Sequence, residues 1–398
     1  MPQPSSSTSS SKPNAAAERV YSWPADRRDL LVVVLSAFLG LVVIDLGLAQ
    51  VVNEAEGEVM RPGPGARGKL QQYFAYGRSI EDKIRDQVAE SDEQAHPMAR
   101  AGWPPDATEL ESLPNHASSE SNLLIAAYGM SFTRNVMNMA TERDSSVEVR
   151  FVGGPASTLG HTYSLFVADR DHHEAPVVVL GVLASSFVAF ETVSHMTWNF
   201  DAPSPHFYPR YALEQGSLRV YEPPVGSTAE LRRALRDPKQ FEELVEWVAT
   251  HDAFYDAITF RASLTDHSPI ARVIRRGWGQ RQFERARARA YGPEGFRNDS
   301  GAVDTAIALL IEAAKSTRER GQRFIVLLFC NRGYQDHLYR AIGVPLETQG
   351  VEVVSTHLLA PPDDLSLFVP DGHFTESARG RIVDFLLKRV HEAPASTR

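Results

Sequence analysis

Short apolar runs alternate with amphipathic segments through the later part of the chain. The runs lie at residues 123–127, 147–152, 176–183, 323–329 and 351–359. Most of them lack the apolar–polar alternation of a half-exposed strand, which indicates that both faces are buried. Segments with helical spacing of apolar residues follow the runs. The pattern predicts a three-layer α/β/α domain with a mostly parallel, five-stranded, flavodoxin-like sheet.

An earlier apolar stretch has a different character. Residues 30–48 are almost continuously apolar, with Ser36 and Asp45 as the interruptions. As a helix, this stretch is about 28 Å long, close to the thickness of a bilayer core. Arginines precede it (Arg27 and Arg28) and glutamates follow it. The positive-inside tendency predicts a single-pass span over residues 30–52 of the inner (cell) membrane, with a cytoplasmic N-terminus and a periplasmic C-terminal domain.

Two alternatives to a retained span stay open. A signal peptide would be cleaved near residues 47–49, although its charged and apolar regions would both be unusually long. A buried core helix is the other alternative, because the carboxylate of Asp45 is costly in lipid unless it lies near the interface.

The rest of the chain divides by composition. Residues 1–29 form a Ser-, Pro- and Ala-rich tail that we expect to be disordered and cytoplasmic. Residues 53–120 are predicted to be a juxtamembrane linker with a helix at about 69–88. The α/β/α domain covers residues 121–392. Its pattern is broken at about 190–300, where a hairpin and two or three helices predict an insertion between the third and fourth core strands, a candidate cap.

Overall composition excludes one class of function. The chain has 398 residues and a formal net charge of -9, whereas nucleic-acid-binding domains are usually basic. Its 43% apolar and 23% charged residues are typical of a globular protein. Cys330 is the only cysteine, so no internal disulfide can form.

Polar and glycine residues follow the predicted strands. The candidates are Ser131, Gly153, Gly154, Ser185, Ser186, Asn331, Asp371 and His373. Because ligands bind at the carboxyl edge of a parallel sheet, we expect these residues to lie at one site.

A serine, an aspartate and a histidine at such an edge predict nucleophilic catalysis. Ser131 would attack an acyl carbon, His373 would accept and return its proton, and Asp371 would orient the imidazole. The backbone N–H groups of Ser131 and Gly154 would face the developing oxyanion. Taken singly, each residue is common in turns and helix caps, so the hypothesis depends on their joint position.

Three blocks of this sequence resemble one family. The serine-containing block at residues 128–133 is similar to the first block of the SGNH/GDSL-type esterases and acyltransferases. The glycine turn at 152–155 resembles their glycine block, and Asp371 with His373 resembles their last block. The resemblance covers about residues 121–392 and implies an SGNH-hydrolase-like fold with an oxyanion donor at the glycine turn.

The sequence departs from the family in its last and third blocks. One residue separates the aspartate from the histidine, where two are commoner. The third-block Asn, an oxyanion donor in the family, is missing after the third predicted strand. The residues that could replace it are Ser185, Ser186 and Asn331.

The resemblance implies a substrate and partners. Membrane-anchored relatives act on acyl groups of cell-envelope polysaccharides, so the expected substrate is an acylated, chiefly acetylated, glycan. Hydrolysis and transfer are both open, and no metal or organic cofactor is expected. An integral membrane acyltransferase is a candidate partner, from which this protein would take acyl groups and hand them on. A non-catalytic glycan-binding or polysaccharide-assembly protein is the alternative from another class.

Two polar segments are weaker candidates. Residues 171–174 have the composition of metal ligands, but they supply no closed ligand set and are interpreted as a polar loop. The arginine-rich segment at 261–289 is interpreted as a solvated helix face, with an anionic polysaccharide or lipid headgroup as the other reading.

Overall fold

The computed structural model describes residues 27–52, 66–88 and 100–392. The predictions for the N-terminal tail before residue 27 and for the linker segment 53–65 lie outside these residues.

The strands and helices of the described residues are as follows. The strands are β1 Leu123–Gly129, β2 Val147–Gly153, β3 Val177–Leu183, β4 Arg210–Glu214, β5 Ser217–Tyr221, β6 Tyr291–Gly292, β7 Gly295–Phe296, β8 Arg323–Phe329 and β9 Glu352–Ser355. The helices are α1 Arg27–Val52, α2 Ala66–Ala75, α3 Ile80–Val88, α4 Ala107–Glu111, α5 Ser131–Arg143, α6 Leu159–Asp169, α7 Ala184–Phe187, α8 His195–Trp198, α9 Thr228–Arg236, α10 Pro238–His251, α11 Ala257–Phe260, α12 Pro269–Ala290, α13 Ala302–Glu319, α14 Val344–Thr348 and α15 Glu376–His391.

The central sheet confirms the predicted fold class. Its five strands are all parallel and lie in the order β2-β1-β3-β8-β9, the flavodoxin-like order. Alternate residues of β1 point to opposite faces. Leu124, Ala126 and Tyr128 pack with α6 and α13, whereas Ile125 and Ala127 pack with α5 and α15. The strand sequences therefore lack apolar–polar alternation because both faces of the sheet are buried, as the pattern predicts.

The last strand is shorter than the sequence suggests. An apolar run at 351–359 predicts a long strand, but β9 ends at Ser355. The chain turns there because the carbonyl of Thr356 accepts hydrogen bonds from the N–H groups of Leu359 and Ala360. The apolar residues beyond Ser355 therefore belong to a turn and not to the sheet.

The helix predicted at 69–88 is broken into α2 and α3. The break lies at Gly77, where a side-chain Cβ would overlap the carbonyl of Arg272 in α12. Beyond the break, α3 contributes Ile80, Ile84 and Val88 to a hydrophobic cluster. The other members of this cluster come from α8 to α11 and their connections, within the predicted insertion. The segment expected to be a linker thus packs against the insertion.

The insertion contains the predicted hairpin. Strands β4 and β5 pair antiparallel, with Glu214 opposite Ser217. Gln215 and Gly216 connect them with positive φ values of 49° and 78°. Two central residues with positive φ are the mark of a tight hairpin turn.

Helix α1 is long and apolar enough to cross a membrane. The segment Asp29–Val52 has a mean hydropathy of 2.7 in its most apolar window, and none of that window is buried. The carboxylate of Asp45 accepts a hydrogen bond of 2.8 Å from the backbone N–H of Ile270, in the first turn of α12. The polar interruption of α1 therefore has a partner on the globular part of the chain.

A buried ion pair connects the sheet to the segment that precedes it. Arg150 of β2 and Asp169 of α6 are both fully buried and 2.6 Å apart. The remaining Arg150 N–H groups donate to backbone carbonyls in segment 110–114, and the Tyr128 hydroxyl donates to Asp169 (2.8 Å). Full hydrogen bonding is what allows two charges to be buried without a large net cost.

We expect the substitution Asp169→Asn to lower the free energy of unfolding by about 3–5 kcal/mol, because it leaves the Arg150 charge buried without its counter-ion. Equilibrium urea unfolding of the full chain in detergent measures this change. The matched control is Asp171→Asn, two residues away. It removes an ion pair with Arg320, and the side chain of Asp171 is 65% exposed. That variant should lose about 1 kcal/mol or less. Equal losses in the two variants would contradict the role given to the buried pair.

Candidate active site

A sharp turn between β1 and α5 exposes Ser131. Gly129 ends β1 with φ +153°, and a Cβ there would overlap the hydroxyl of Thr133. Met130 then has extended backbone and caps the helix, so that Ser131 is its first residue. A helix's first N–H groups have no partner within the helix. The turn thus presents the hydroxyl and the backbone N–H of Ser131 at the carboxyl edge of the sheet.

Ser131, His373 and Asp371 form a hydrogen-bonded chain. Ser131 Oγ lies 2.8 Å from His373 Nε2, and His373 Nδ1 lies 3.1 Å from Asp371 Oδ1. With the carboxylate at Nδ1, that nitrogen has the proton and donates it. The tautomer leaves the Nε2 lone pair facing the serine hydroxyl. Ser131 and His373 are 242 positions apart in the sequence, so only the fold brings them together.

The carboxylate of Asp371 is open to solvent. The side chain of Asp371 is 69% exposed and that of His373 is 30% exposed. Hydrogen bonds from the backbone N–H of His373 (3.1 Å) and from its ring hold the pKa of Asp371 below its usual range. Asp371 is therefore ionised at neutral pH, although water screens its charge more than in a buried triad.

Aromatic packing and a tight turn fix the imidazole. Phe132 stacks on the ring of His373, with ring centres 4.5 Å apart, and Phe374 packs edge-on against Phe132. The N–H of Val369 donates to the His373 carbonyl (2.8 Å), and Gly372 has φ +89° in the turn between them. Sequence reasoning missed Phe132, whose signal is an apolar residue directly after the serine.

A cavity of about 590 Å³ opens at Ser131. The glycine turn, Gly153 and Gly154, forms one wall, and Arg134 of α5 is another lining residue. Residues between 100 and 113, including Trp103, close it from the other side. This wall could not be expected from the sequence, because the segment is polar, rich in proline and lies before the first strand.

The glycine turn supplies fewer free donors than expected. The N–H of Gly154 donates to Ser157 Oγ (3.1 Å), and that hydroxyl donates back to the Gly154 carbonyl (3.0 Å). An acyl oxygen at Gly154 would have to compete with Ser157. The role of Gly153 and Gly154 as oxyanion donors stays a prediction.

The expected substitutes for the family's Asn lie elsewhere. Asn331 Oδ1 accepts from the N–H of Ser185 (3.2 Å), and Asn331 Nδ2 donates to Ser185 Oγ (3.1 Å). Ser186 is buried. The structure brings Ser185 and Asn331 together after β3 and β8, but neither they nor Ser186 line the cavity of Ser131. Their role at the oxyanion also stays a prediction.

A buried histidine cluster, consisting of His161, His195 and His206, lies behind the cavity wall. The ring centres of His161 and His206 are 4.7 Å apart, and those of His195 and His206 are 5.8 Å apart. His161 Nε2 donates to the carbonyl of Gly102 (2.7 Å), and a Cβ on Gly154 would come within 2.7 Å of the His161 ring. Both walls of the cavity therefore rest on this cluster, which sequence reasoning did not identify.

Burial keeps these imidazoles neutral. It lowers the pKa of His161 and of His195 to about 4, and it lowers the pKa of His206 well below its usual value. Desolvation of the charged form is the main cause in each case, and the neighbouring imidazoles add to it for His195 and His206.

Two side chains of segment 171–174 have other partners. Asp171 forms an ion pair with Arg320, and His173 is buried with its Nε2 2.8 Å from the Tyr128 hydroxyl. Across residues 27–52, 66–88 and 100–392, no three His, Cys, Asp or Glu side chains are grouped to hold a metal ion.

Solved structures similar to this chain include two from Bacteroides species. They are a "putative acylhydrolase" from Bacteroides fragilis and a GDSL-like lipase from Bacteroides thetaiotaomicron. Each is 8% identical with a TM-score of 0.36, and each alignment covers 71% of this chain. The alignments cover 93% and 94% of the two other chains, respectively. No family model and no curated protein matches the sequence.

The chain's own features are those of the SGNH/GDSL-type fold that the sequence resembles. They are the five-stranded parallel sheet in flavodoxin-like order, a serine at the turn after β1, and a histidine just before the last helix.

The buried histidine cluster predicts a loss of stability in mild acid. Each imidazole binds a proton at about pH 6.5 in the unfolded chain. In the folded chain the pKa is about 4 for His161 and His195, and burial also lowers the pKa of His206 well below its usual value. The unfolded state thus binds more protons between these values, and stability falls as the pH falls. Burial raises the pKa of Asp252 to about 6, which acts in the opposite direction, but this is one group against three.

We expect the free energy of unfolding to be at least about 3 kcal/mol lower at pH 5 than at pH 7.5. Urea unfolding of the full chain at both pH values measures the difference. His195→Gln should reduce the difference, since it removes one of the three buried imidazoles of the cluster. His172→Gln, an exposed histidine, should leave it unchanged. Equal stability of the wild type at the two pH values would show that the cluster does not titrate as described.

Proposed function

We propose that this protein is a serine esterase or O-acyltransferase that works through Ser131, His373 and Asp371. One observation supports this most directly, the continuous hydrogen-bonded chain from Ser131 Oγ through the His373 ring to Asp371. A cavity large enough for an acyl group and part of a sugar opens at the same hydroxyl.

The first half-reaction would transfer the acyl group to the serine. Ser131 Oγ attacks the ester carbonyl while His373 Nε2 takes its proton. As the tetrahedral intermediate collapses, the bond to the alcohol oxygen breaks and the imidazolium returns the proton to that oxygen. In the second half, water or an acceptor hydroxyl attacks the acyl-enzyme with the same proton transfers. The chemistry needs no metal or organic cofactor.

The oxyanion in this reaction needs hydrogen-bond donors. The backbone N–H of Ser131, at the start of α5, is suitably placed in sequence and has the positive end of the helix dipole behind it. The glycine turn would supply the second donor if the hydrogen bond between Gly154 and Ser157 opens when substrate binds.

The substrate and location belong to the same proposal. We expect acyl, chiefly acetyl, esters of a cell-envelope polysaccharide, as the family resemblance implies. Helix α1 would hold the domain on the extracytoplasmic side of the inner membrane. An integral membrane acyltransferase that shares the acyl group is the candidate partner.

A non-catalytic glycan-binding or assembly protein is the rival function. Two observations favour it: the exposure of Asp371 and the engaged N–H of Gly154. Both would weaken turnover without preventing a glycan from occupying the cavity.

The catalytic proposal predicts large losses of esterase activity in two variants. With p-nitrophenyl acetate and the full chain in detergent, Ser131→Ala and His373→Ala should each lower kcat by roughly a thousandfold. Asp371→Asn should cost less than either, because its exposed carboxylate is screened by water.

Two substitutions far from the cavity serve as controls. Ser121→Ala, before β1, and His172→Gln, in an exposed loop, should retain full activity. Equal turnover in all variants would exclude Ser131 as the nucleophile. Binding of an acetylated glycan without turnover by the wild type would favour the rival function.

The proposed anchor predicts an uncleaved chain in the membrane fraction. The protein should resist alkaline carbonate extraction, and its intact mass should include α1. In sealed spheroplasts, protease added outside should digest the domain at 100–392. A mature chain that begins near residue 50 would mean that α1 is a cleaved signal peptide. Protection of the domain in intact spheroplasts would reverse the proposed orientation.

A further inference from the structure

Helix α5, which begins with the serine, has two arginines in different situations. Arg143, near its end, donates to the carbonyl of Gly380 (3.1 Å) and forms an ion pair with Asp384 of α15. Arg134 forms no ion pair with any acidic side chain in the part of the chain that the structure describes. Its guanidinium lies over the ring of Phe151 instead, 4.7 Å from the ring centre.

Arg134 is placed to meet a substrate. It is exposed, lies three residues after Ser131 on the same side of the helix, and lines the same cavity. Side chains at this spacing have Cβ atoms about 5–6 Å apart. A group bound by Arg134 would therefore be a neighbour of the ester under attack, within the dimensions of one or two sugar rings.

The charges around the cavity favour an anion. Two arginines line it, Arg100 and Arg134, and the only lining carboxylate in the described residues is that of Glu109. Glu109 is engaged in the cap of α4, where it accepts from the N–H of Asp106 (3.1 Å). The whole chain has a net charge of -9, so its overall field would repel an anionic polysaccharide. Attraction must therefore come from local cations such as these.

The contact with Phe151 suits a carboxylate as the bound group. The position over the ring is a cation–π contact, which holds the guanidinium in place. The N–H groups at its edge stay available, and their fork matches the two oxygens of a carboxylate. Because this contact fixes the side chain beforehand, less conformational entropy is lost on binding.

We infer that Arg134 binds a carboxylate of the substrate, as in a uronic acid residue, next to the acyl ester that Ser131 attacks. The inference rests on the proposed function and narrows its substrate to an acylated anionic glycan. In this role Arg134 determines specificity and takes no part in the proton transfers. A role at the oxyanion is the competing explanation, and the two differ in their kinetics.

A matched pair of esters tests the inference with the full chain. The substrates are the 2-O-acetyl derivatives of methyl glucuronide and methyl glucoside. They differ only in the C6 group, which is a carboxylate in the glucuronide and a hydroxymethyl group in the glucoside. We expect the wild type to have a roughly tenfold to hundredfold lower KM for the glucuronide, the range of one charge-assisted hydrogen-bonded pair. Arg134→Gln should abolish this preference, so that its KM for the glucuronide rises to the KM for the glucoside. Arg134→Lys, which keeps the charge but loses the fork, should retain part of the preference.

Arg143→Gln is the control on the same helix and should preserve the preference for the glucuronide. A wild type that treats both esters alike would overturn the inference. So would an Arg134→Gln variant whose kcat falls equally on both esters, because that result assigns Arg134 to the oxyanion.

Binding to a Ser131→Ala background separates this inference from the catalytic proposal. Calorimetric titration of that variant with the two acetylated sugars, with and without Arg134→Gln, measures carboxylate recognition in the absence of turnover. Preference for the glucuronide that disappears with Arg134→Gln would support the subsite even if the wild type hydrolyses neither ester. No preference in this titration would overturn it even if the wild type is an active esterase.

Discussion

The buried pair of Arg150 and Asp169 is the constraint on which the rest of the candidate site depends. Arg150 of β2 donates hydrogen bonds to backbone carbonyls of segment 110–114, and Asp169 accepts a hydrogen bond from the hydroxyl of Tyr128. That segment is part of the wall that faces Ser131, and Tyr128 lies only three residues before Ser131. Two charges fully removed from water tolerate little displacement, since each lost hydrogen bond leaves a charge uncompensated.

The cavity is built around this anchor by close backbone contacts. The carbonyl of Gly129 lies against Gly153, and Gly154 lies against Gly102 and His161, in each case where a Cβ would be too close. The serine turn, the glycine turn and the wall before β1 are thus in direct contact. Neutral imidazoles support the wall from behind, so the shape of the cavity depends on groups that a fall in pH would charge.

The sequence allowed the sheet and the site edge to be predicted, but not the surroundings of the site. Apolar runs without alternation indicate buried parallel strands, and residues that follow such strands must meet at one edge. Phe132 directly follows Ser131, but neither it nor the buried histidine cluster could be assigned to the site, because an aromatic or a histidine in an apolar setting is ordinarily part of the core. Ser185 and Asn331 follow strands as predicted, yet they bond to each other away from the cavity.

By itself, the sequence determined the class of fold, the apolar helix α1 and the three residues at turns suited to nucleophilic catalysis. It could do so because strand burial, helix length and turn residues are local properties. The tertiary structure decided that His373 lies 2.8 Å from Ser131, that the segment 100–113 closes the cavity, and that Arg134 lies over the ring of Phe151 without an acidic partner among the described residues. These contacts join residues that are distant in sequence or on different elements, and their geometry depends on how helices and strands pack, which no local pattern specifies.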